Sequence, residues 1–192
     1  MIKEMIQLAQ EAAQESHYGE PKASFFKINC YCSWVFLPQS LPTDKHIFYL
    51  ACKQTKRKVV YEEGRGYYCE RDQRYYEDAV PTYNFTVKLS DMTGSVSAQC
   101  MGEVGDIFMG MTATQFCNEM KDDLEEIKEQ ASKVMMNQNL SLVISAKVDS
   151  SMMNSHEEGP RIRYTIVRAI PHDFKAENSE LLKKLAMYQN NE

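Results

Sequence analysis

The feature that most constrains this chain is a strict alternation of apolar and polar residues near its middle. The apolar positions are Tyr83, Phe85, Val87 and Leu89, then Val96, Ala98 and Cys100. Side chains of a strand point alternately to its two faces, so a period of two predicts two half-buried strands. The turn-like segment Asp-Met-Thr-Gly at residues 91–94 separates them and predicts a hairpin.

Alternation of the same kind predicts strands on both sides of this hairpin. The first covers residues 24–37 and the second residues 46–51. The apolar side of the first is formed by Phe26, Ile28, Cys30 and Cys32. Two more strands are predicted over residues 140–149 and 161–170, joined by a loop rich in Ser, Glu and Asn. The chain is therefore expected to be mainly β.

Three segments have helical spacing instead. The longest is predicted over residues 113–136, where apolar residues recur at three- and four-residue steps and acidic residues fill the other face. A leading helix is predicted within residues 1–20, ended by Gly19 and the proline that follows. The last helix covers residues 176–190. Its apolar side consists of Leu181, Leu182, Leu185 and Tyr188.

The order of these elements predicts an oligonucleotide-binding (OB) barrel. Five main strands with one long helix between the third and the fourth are typical of that fold. A β-sandwich is the alternative, although it rarely carries a long helix in that place. Residues 52–78, short charged pieces around Gly64 and Gly66, are predicted to be an inserted, zinc-ribbon-like subdomain. The 192 residues, 43% of them hydrophobic, suit a single domain over residues 1–192 with flanking N- and C-terminal helices.

The insertion concentrates positive charge in an acidic chain. Residues 45–74 hold eight basic and four acidic residues, a balance of +4 within a net charge of −5. Tyrosines interleave with these cations, and aromatic stacking inside a basic groove is how single strands are held. Lys58 and Tyr67 are therefore candidate DNA-binding residues. The alternative is a solvated ribbon whose tyrosines form its own small core.

A second group of cations falls on the last two strands. Arg161 and Arg163 share one side of their strand, and Lys147 on the preceding strand is out of step with its apolar neighbours. These three residues are predicted to line one groove on the outer face of the barrel and to contact nucleic acid. Ordinary surface charge is the alternative explanation.

The cysteines raise the question of a metal. Cys52 and Cys69 flank the ribbon as the leading cysteines of two zinc knuckles would, but the second partners are absent: Lys-Gln-Thr-Lys-Arg follows Cys52, and Asp72 stands where a cysteine is expected after Cys69. A Cys52, Cys69 and Asp72 site completed by His46 or water is conceivable. Structural zinc sites are nearly always closed four-ligand sets, so the sequence predicts a degenerate ribbon without a cofactor.

Nothing in the chain indicates catalysis. It has no phosphate-binding loop, nucleophile elbow, zinc-protease motif or dinucleotide glycine fingerprint, so it is not expected to be an enzyme. It also has no apolar run long enough to span a bilayer and no apolar leader, so a soluble, intracellular protein without a membrane partner is expected. Six cysteines lying mostly in apolar stretches suit a reducing compartment.

Several short segments, taken in order, resemble one family. They are Lys22-Ala23-Ser24-Phe25-Phe26, Tyr49-Leu50-Ala51-Cys52, Tyr68-Cys69-Glu70, Leu89-Ser90-Asp91, Lys147-Val148, Arg161-Ile162-Arg163 and Pro171-His172-Asp173-Phe174. Together they look like the C-terminal OB domain of the large subunit of replication protein A, over nearly the whole chain. The resemblance implies binding of single-stranded DNA, a four-cysteine zinc ribbon, and a last helix that joins two smaller OB subunits.

Within that family, the degenerate ribbon resembles a paralog. It looks like the C-terminal domain of the replication-protein-A-like subunit of the ciliate telomerase holoenzyme. That resemblance implies binding of G-rich telomeric single strands, support of repeat-addition processivity, telomerase subunits as partners, and a place at telomeres in the nucleus. It also implies that Lys147, Arg161 and Arg163 face DNA, whereas Ser95 and Gln99 replace aromatic residues of the family's central hairpin.

The C-terminal helix is the candidate assembly surface. A helix this short is only marginally stable alone in water, so its apolar face is expected to pack against smaller OB subunits of a heterotrimer. A rival hypothesis, which the acidic net charge allows, is an adaptor OB domain that binds protein and contacts DNA only incidentally.

Overall fold

The computed structural model describes most of the chain. The described residues are 1–15, 23–36, 47–119, 129, 133–134, 136, 139–148, 161–171 and 174–189. The helices are α1 (Ile2–Glu15), α2 (Glu103–Met109), α3 (Ala113–Glu119) and α4 (Phe174–Gln189). The strands are β1 (Ser24–Phe36), β2 (Phe48–Cys52), β3 (Val60–Glu62), β4 (Gly66–Cys69), β5 (Arg74–Tyr76), β6 (Ala79–Asp91), β7 (Gly94–Met101), β8 (Asn139–Val148) and β9 (Ile162–Pro171).

Five of these strands close into a barrel. The sheet order is β1-β8-β9-β7-β6, and β1 pairs a second time with β6, which completes the ring. All pairs are antiparallel except β7 and β9, which run parallel. This is the strand order of an OB barrel, so the predicted fold class is confirmed at that level. The strand predicted over residues 46–51 appears as β2, which lies outside the ring and pairs with the first part of β6.

The apolar phase of each barrel strand fills the interior. Tyr83, Phe85, Val87 and Leu89 of β6 are all buried, as the alternation predicts. The inward residues of the other strands include Ile28, Cys30, Cys32, Ala98, Cys100, Leu140, Leu142, Ile144 and Ile166. Each fully buried large side chain contributes roughly 1.5–3 kcal/mol, so this single core dominates the stability of the domain.

Helix α1 covers one end of the barrel. Its buried face consists of Ile2, Met5, Ala9 and Ala13, at the spacing of a helix stripe. The backbone N–H of Ile2 donates to Oδ2 of Asp91 at 2.8 Å, and that of Lys3 to the Thr93 hydroxyl at 3.2 Å. The β6–β7 turn thus satisfies N–H groups at the start of α1. The leading helix is confirmed over residues 2–15, and the rest of its predicted span lies outside the described residues.

The helical region between β7 and β8 differs from the prediction at its start. Helix α2 was not expected from the sequence; it follows Gly102 and ends at Gly110, whose φ of 69° is left-handed. Phe108, Met109 and Phe116 from α2 and α3 are buried in the barrel core. Of the helix predicted over residues 113–136, the structure describes α3 and isolated helical positions between 129 and 136. Its continuity as one long helix therefore stays a prediction.

The predicted insertion contains a small antiparallel sheet in the order β3-β4-β5. Its apolar centre consists of Cys52, Val59 and Cys69, all buried, with Tyr67 and Tyr76 packed against them. Only three buried residues make this core, far fewer than in the barrel. In the described part of the chain, no helix is long and apolar enough to cross a membrane.

Candidate nucleic-acid interface

Two of the predicted DNA-contacting cations are direct neighbours on the outer face of the barrel. Lys147 of β8 lies opposite Arg163 of β9, and both side chains are exposed. Residues opposite each other in an antiparallel pair project to the same face, with Cβ atoms about 5 Å apart. Arg161, also exposed, immediately precedes β9 in the same phase as Arg163. The alternation therefore placed all three cations on one side of adjacent strands.

A third strand brings another cation into line with this pair. β7 and β9 run parallel with Gln99 beside Thr165. This is the one residue pair of the ladder between these two strands, and extending its parallel register by two residues aligns Ser97 with Arg163. Ser97 in turn lies opposite Lys88 of β6, and both of these side chains are exposed.

Four residues therefore cross four neighbouring strands, and they are here called the basic row: Lys88, Ser97, Arg163 and Lys147. Adjacent strands are about 4.8 Å apart, so the row spans roughly 14 Å. Three like charges on one exposed face attract a polyanion, and each phosphate contact releases bound counterions. The barrel thus presents a local positive strip although the whole chain is acidic.

An exposed aromatic side chain stands at one end of the basic row. Trp34 of β1 lies opposite Lys88 of β6, and 58% of the tryptophan is exposed. The register between β1 and β6 shifts between Cys32 and Trp34, which marks a β-bulge. The bulge turns Trp34 outward and lets Val35 pack against the core.

The surface beside the basic row is polar and uncharged. A second row of four residues crosses the strands β6, β7, β9 and β8 in that order, each residue lying opposite the next. They are Thr86, Gln99, Thr165 and Ser145, and all are partly buried. Nε2 of Gln99 donates to Oδ1 of Asn84 at 2.7 Å, which fixes the glutamine side chain. The amide and hydroxyl groups of this row offer hydrogen-bond donors and acceptors, but position 99 carries no aromatic ring.

Of the two ribbon residues predicted to bind DNA, one packs against the ribbon's core and the other lies on its surface. Tyr67 is partly buried against Cys52, Val59 and Cys69, and its ring lies 5.3 Å from that of Tyr61. This placement matches the alternative in which tyrosines form the ribbon's own core. Lys58 is exposed. DNA contact by either residue stays a prediction.

The ribbon residues do not fit a structural zinc ion. The Asp72 carboxylate forms an ion pair with Arg57 and accepts hydrogen bonds from the hydroxyls of Tyr76 at 2.8 Å and Thr55 at 3.4 Å. A guanidinium at this place opposes a dication. Among the described residues, no group of three or more His, Cys, Asp or Glu could hold a metal ion. The zinc-ribbon part of the predicted fold is therefore corrected to a small β-ribbon, and His46 lies outside the described residues.

The Cys52 thiol retains one electrostatic property of a metal ligand. Burial raises its pKa, but hydrogen bonds from the backbone of Thr55 and Gln54 and the Thr55 side chain, with the charge of Arg74, outweigh burial and lower the pKa below its ordinary value. The residues around Cys52 therefore lower the pKa of its thiol without supplying the further ligands that zinc requires.

Three of the four residues predicted to bind partner subunits are exposed on α4. Leu181, Leu182 and Leu185 are 60%, 69% and 59% exposed, whereas the side chain of Tyr188 lies outside the described residues. Three neighbouring leucines at this exposure leave apolar surface that a partner can bury. The assembly role of this helix stays a prediction.

Sequence reasoning missed two members of this face, Lys88 and Trp34. Lys88 is outward in the β6 alternation, so its exposure could have been predicted, but its alignment with Arg163 depends on the parallel pairing of β7 and β9. Trp34 falls in the inward phase of the β1 alternation, and only the bulge reverses it.

A closed five-stranded barrel with this strand order defines the OB class of domains, and this barrel carries the basic row on its outer face. Within that class, residues 25–181 match the family described as the replication factor-A C terminal domain. The chain belongs to this family.

The chain is similar to parts of longer curated relatives. It is 28% identical over 167 residues to a replication protein A 70 kDa DNA-binding subunit of Arabidopsis thaliana, covering 87% of this chain and 25% of the relative. It is 26% identical over 139 residues to replication factor A protein 1 of Schizosaccharomyces pombe, covering 72% of this chain and 22% of the relative. The chain thus spans about a quarter of the length of these relatives.

Two solved structures share the fold. A chain of a replication protein A heterotrimer bound to single-stranded DNA superposes with a TM-score of 0.65 at 22% identity, covering 85% of this chain and 35% of that one. Yeast replication protein A bound to single-stranded DNA gives a TM-score of 0.63 at 20% identity, covering 93% of this chain and 94% of that one. At such identities the likeness demonstrates the OB fold alone.

Proposed function

We propose that this chain is a single-stranded DNA-binding and subunit-assembly OB domain of a replication-protein-A-like complex, and not an enzyme. The observation that carries the proposal is the basic row, three cations aligned across β6, β9 and β8 on the barrel's outer face. A polar face on the adjacent row suits base edges. The family and the single-strand-bound relatives support the same ligand.

The finer proposal concerns the setting. The degenerate ribbon favours a specialised paralog over a general replication subunit, and we propose a telomerase processivity subunit that binds G-rich telomeric single strands in the nucleus. The support is Asp72, which stands where the family resemblance implies a second ribbon cysteine and which forms an ion pair with Arg57. Comparison of affinities for G-rich telomeric and mixed-sequence oligonucleotides of equal length tests this setting, and equal affinities would contradict it.

The DNA-binding proposal is tested by removing two charges from the basic row. Lys88→Ala with Lys147→Ala should weaken binding of a single-stranded oligonucleotide and lower the salt slope of log K by about 1.4, because each single-strand phosphate contact contributes about 0.7. The measurement is a salt titration of affinity.

A matched control comes from the same barrel. Lys27 and Arg168 are exposed cations that flank Val143 on β8, outside the basic row. Lys27→Ala with Arg168→Ala changes the net charge equally and should leave the slope unchanged. An equal loss of affinity in both double variants would show that net charge, and not the basic row, attracts DNA.

The assembly proposal concerns α4. Burying three leucines at roughly 1.5–3 kcal/mol each corresponds to a micromolar association before ordering costs. Leu181→Asp with Leu185→Asp should leave the barrel folded and DNA-competent but abolish co-purification with smaller OB subunits. Asn178→Asp with Ser179→Asp adds the same charge without removing apolar surface and should retain assembly. Wild-type assembly of the leucine variant would exclude α4 as the interface.

A second function, a protein adaptor with only incidental DNA contact, has one observation in its favour. The exposed α4 leucines supply an apolar surface of their own, independent of the basic row. The adaptor hypothesis predicts that Lys88→Ala with Lys147→Ala lowers the affinity for DNA but leaves assembly with partner subunits and the activity of the assembled complex unchanged.

A further inference from the structure

Trp34 is the only tryptophan in the sequence and, among the described residues, one of the most exposed aromatic side chains. Burying a tryptophan in the core would stabilise the fold, so 58% exposure on a barrel strand leaves a large apolar ring in water. The ring stands on the same face as Lys88, at one end of the basic row. An apolar plane next to a line of cations has the composition of a single-strand binding groove.

The bulge that exposes Trp34 is stabilised by hydrogen bonds within β1 and between β1 and β6. The Cys32 thiol donates to the carbonyl oxygen of Trp34 at 3.4 Å. The Ser33 hydroxyl donates to the carbonyl oxygen of Lys88 at 3.1 Å and is 2.6 Å from the Ser90 hydroxyl. Because Cys32 is buried, desolvation raises its pKa to about 11, so the thiol keeps the proton that it donates. The outward direction of Trp34 is thus built into the local backbone.

We propose that Trp34 is a base-stacking residue, which holds one base of a single strand whose phosphates lie along the basic row. This inference rests on the proposed DNA-binding function and adds the residue that contacts a base. Every base has a flat π face, so the contact tolerates any sequence. It also supplies a ring on β1 in a barrel whose central hairpin carries Ser95 and Gln99.

The expected effect separates a ring from mere apolar surface. Trp34→Leu should weaken binding of an oligonucleotide by about fivefold to 150-fold, since removing one stacked base contact has an effect of that size. Trp34→Phe keeps an aromatic plane and should lose less than Trp34→Leu. The salt slope should stay at the wild-type value in both variants, because no phosphate contact is removed.

Two readouts in the wild-type protein report on stacking directly. Oligonucleotide binding should quench the fluorescence of Trp34, which is the only tryptophan signal. An oligonucleotide with abasic sites keeps its phosphates but lacks bases, so it should bind more weakly to the wild type and equally to wild type and Trp34→Leu. Thermal unfolding of each variant checks that the barrel is intact.

The outcomes distinguish the two proposals. If the wild type binds no single-stranded DNA at all, the proposed function fails. If it binds with the expected salt slope but Trp34→Leu binds equally well and the tryptophan is not quenched, only the stacking role is overturned. If Trp34→Leu loses assembly with partner subunits while its DNA affinity stays at the wild-type value, the ring contacts protein and the inference is wrong.

Discussion

The barrel and the ribbon of this chain are stabilised in opposite ways. The barrel encloses a continuous apolar core that includes Tyr83, Phe108 and Phe116, and its charges lie outside. The ribbon has a three-residue apolar centre and a polar network in which Asp72 binds Arg57 and Tyr76, while Tyr76 also accepts a hydrogen bond from Nε of Arg74 at 2.7 Å. Apolar burial is additive and insensitive to pH, whereas a charge network depends on every member.

The polar network of the ribbon centres on the Asp72 carboxylate. The Thr55 hydroxyl donates a hydrogen bond to Oδ2 of Asp72 at 3.4 Å. Arg57 forms an ion pair with the same Asp72 carboxylate. Charge-assisted hydrogen bonds thus stabilise one edge of the ribbon, while Cys52 and Cys69 are buried free cysteines.

The largest expected effect breaks the barrel. Phe116→Ala removes a fully buried ring that meets Tyr83 edge-on with centroids 6.0 Å apart, so the free energy of unfolding should fall by about 3–5 kcal/mol. Equilibrium denaturation measures the change. A loss below about 1 kcal/mol would mean that α3 does not depend on the core.

A smaller and local effect should appear in the ribbon. Asp72→Ala removes the acceptor that Arg57, Tyr76 and Thr55 share, and a partly buried group left unpaired costs roughly 1–3 kcal/mol. Native-state hydrogen exchange should become faster in β3–β5 and stay unchanged in the barrel. Glu63→Ala, at an exposed ribbon position, is the control. Faster exchange throughout the chain would show that ribbon and barrel unfold together.

A third prediction uses pH to sharpen the comparison on the barrel side. Burial raises the pKa of Asp91, but the side chain and backbone of Thr93 and the N–H groups of Ile2 and Gly94 outweigh it and lower the pKa from its ordinary 3.8. The carboxylate therefore stabilises the folded state fully above that value, and this contribution is lost as the pH falls through the lowered folded pKa.

Asp91→Asn should thus cost about 1 kcal/mol near neutral pH, the usual size of a lost helix cap, and less at about pH 3. Denaturation at both pH values measures the difference. Met92→Ala, in the same turn and almost fully exposed, is the matched control. A cost that stays the same at acid pH would exclude the carboxylate as its source.

The last prediction is that removing metal ions has no effect on the stability of the ribbon. Because the ribbon residues do not form a zinc ligand set, a chelator should leave hydrogen exchange in β3–β5 unchanged, and elemental analysis should find no stoichiometric zinc. Unfolding of the ribbon on chelation, together with bound zinc, would show that Asp72 leaves Arg57 and becomes a ligand.

Patterns of period two were sufficient to predict the barrel strands but not their partners. β1, β6, β7, β8 and β9 all lie where alternation predicts strands. Lys147 and Arg163 could be predicted as neighbours because β8 and β9 follow each other along the chain. Lys88 joins them only through the parallel pairing of β7 with β9, which no local pattern reveals.

Short or irregular elements account for what was missed. Helix α2 has seven residues, too few for a helical stripe to be distinguished from chance. Trp34 was not identified as a surface residue because one extra residue in β1 reverses the alternation. The ribbon tyrosines could be located but not assigned to core or surface, since strands of three and four residues present both faces to similar neighbours.

The double pairing of β1 has a consequence for the order in which the protein folds. During synthesis β1 is the first of these strands to be made, and its C-terminal half can pair with β6 once the chain up to Ser90 has left the ribosome. Its N-terminal half must wait for β8, since Ser24 pairs with Ala146, 122 positions later (146 − 24). Contacts at such separation form slowly because a long loop must close first. Until then β1 has an unpaired edge open to other chains, so the nascent domain depends on rapid completion of β8 and β9 to escape aggregation.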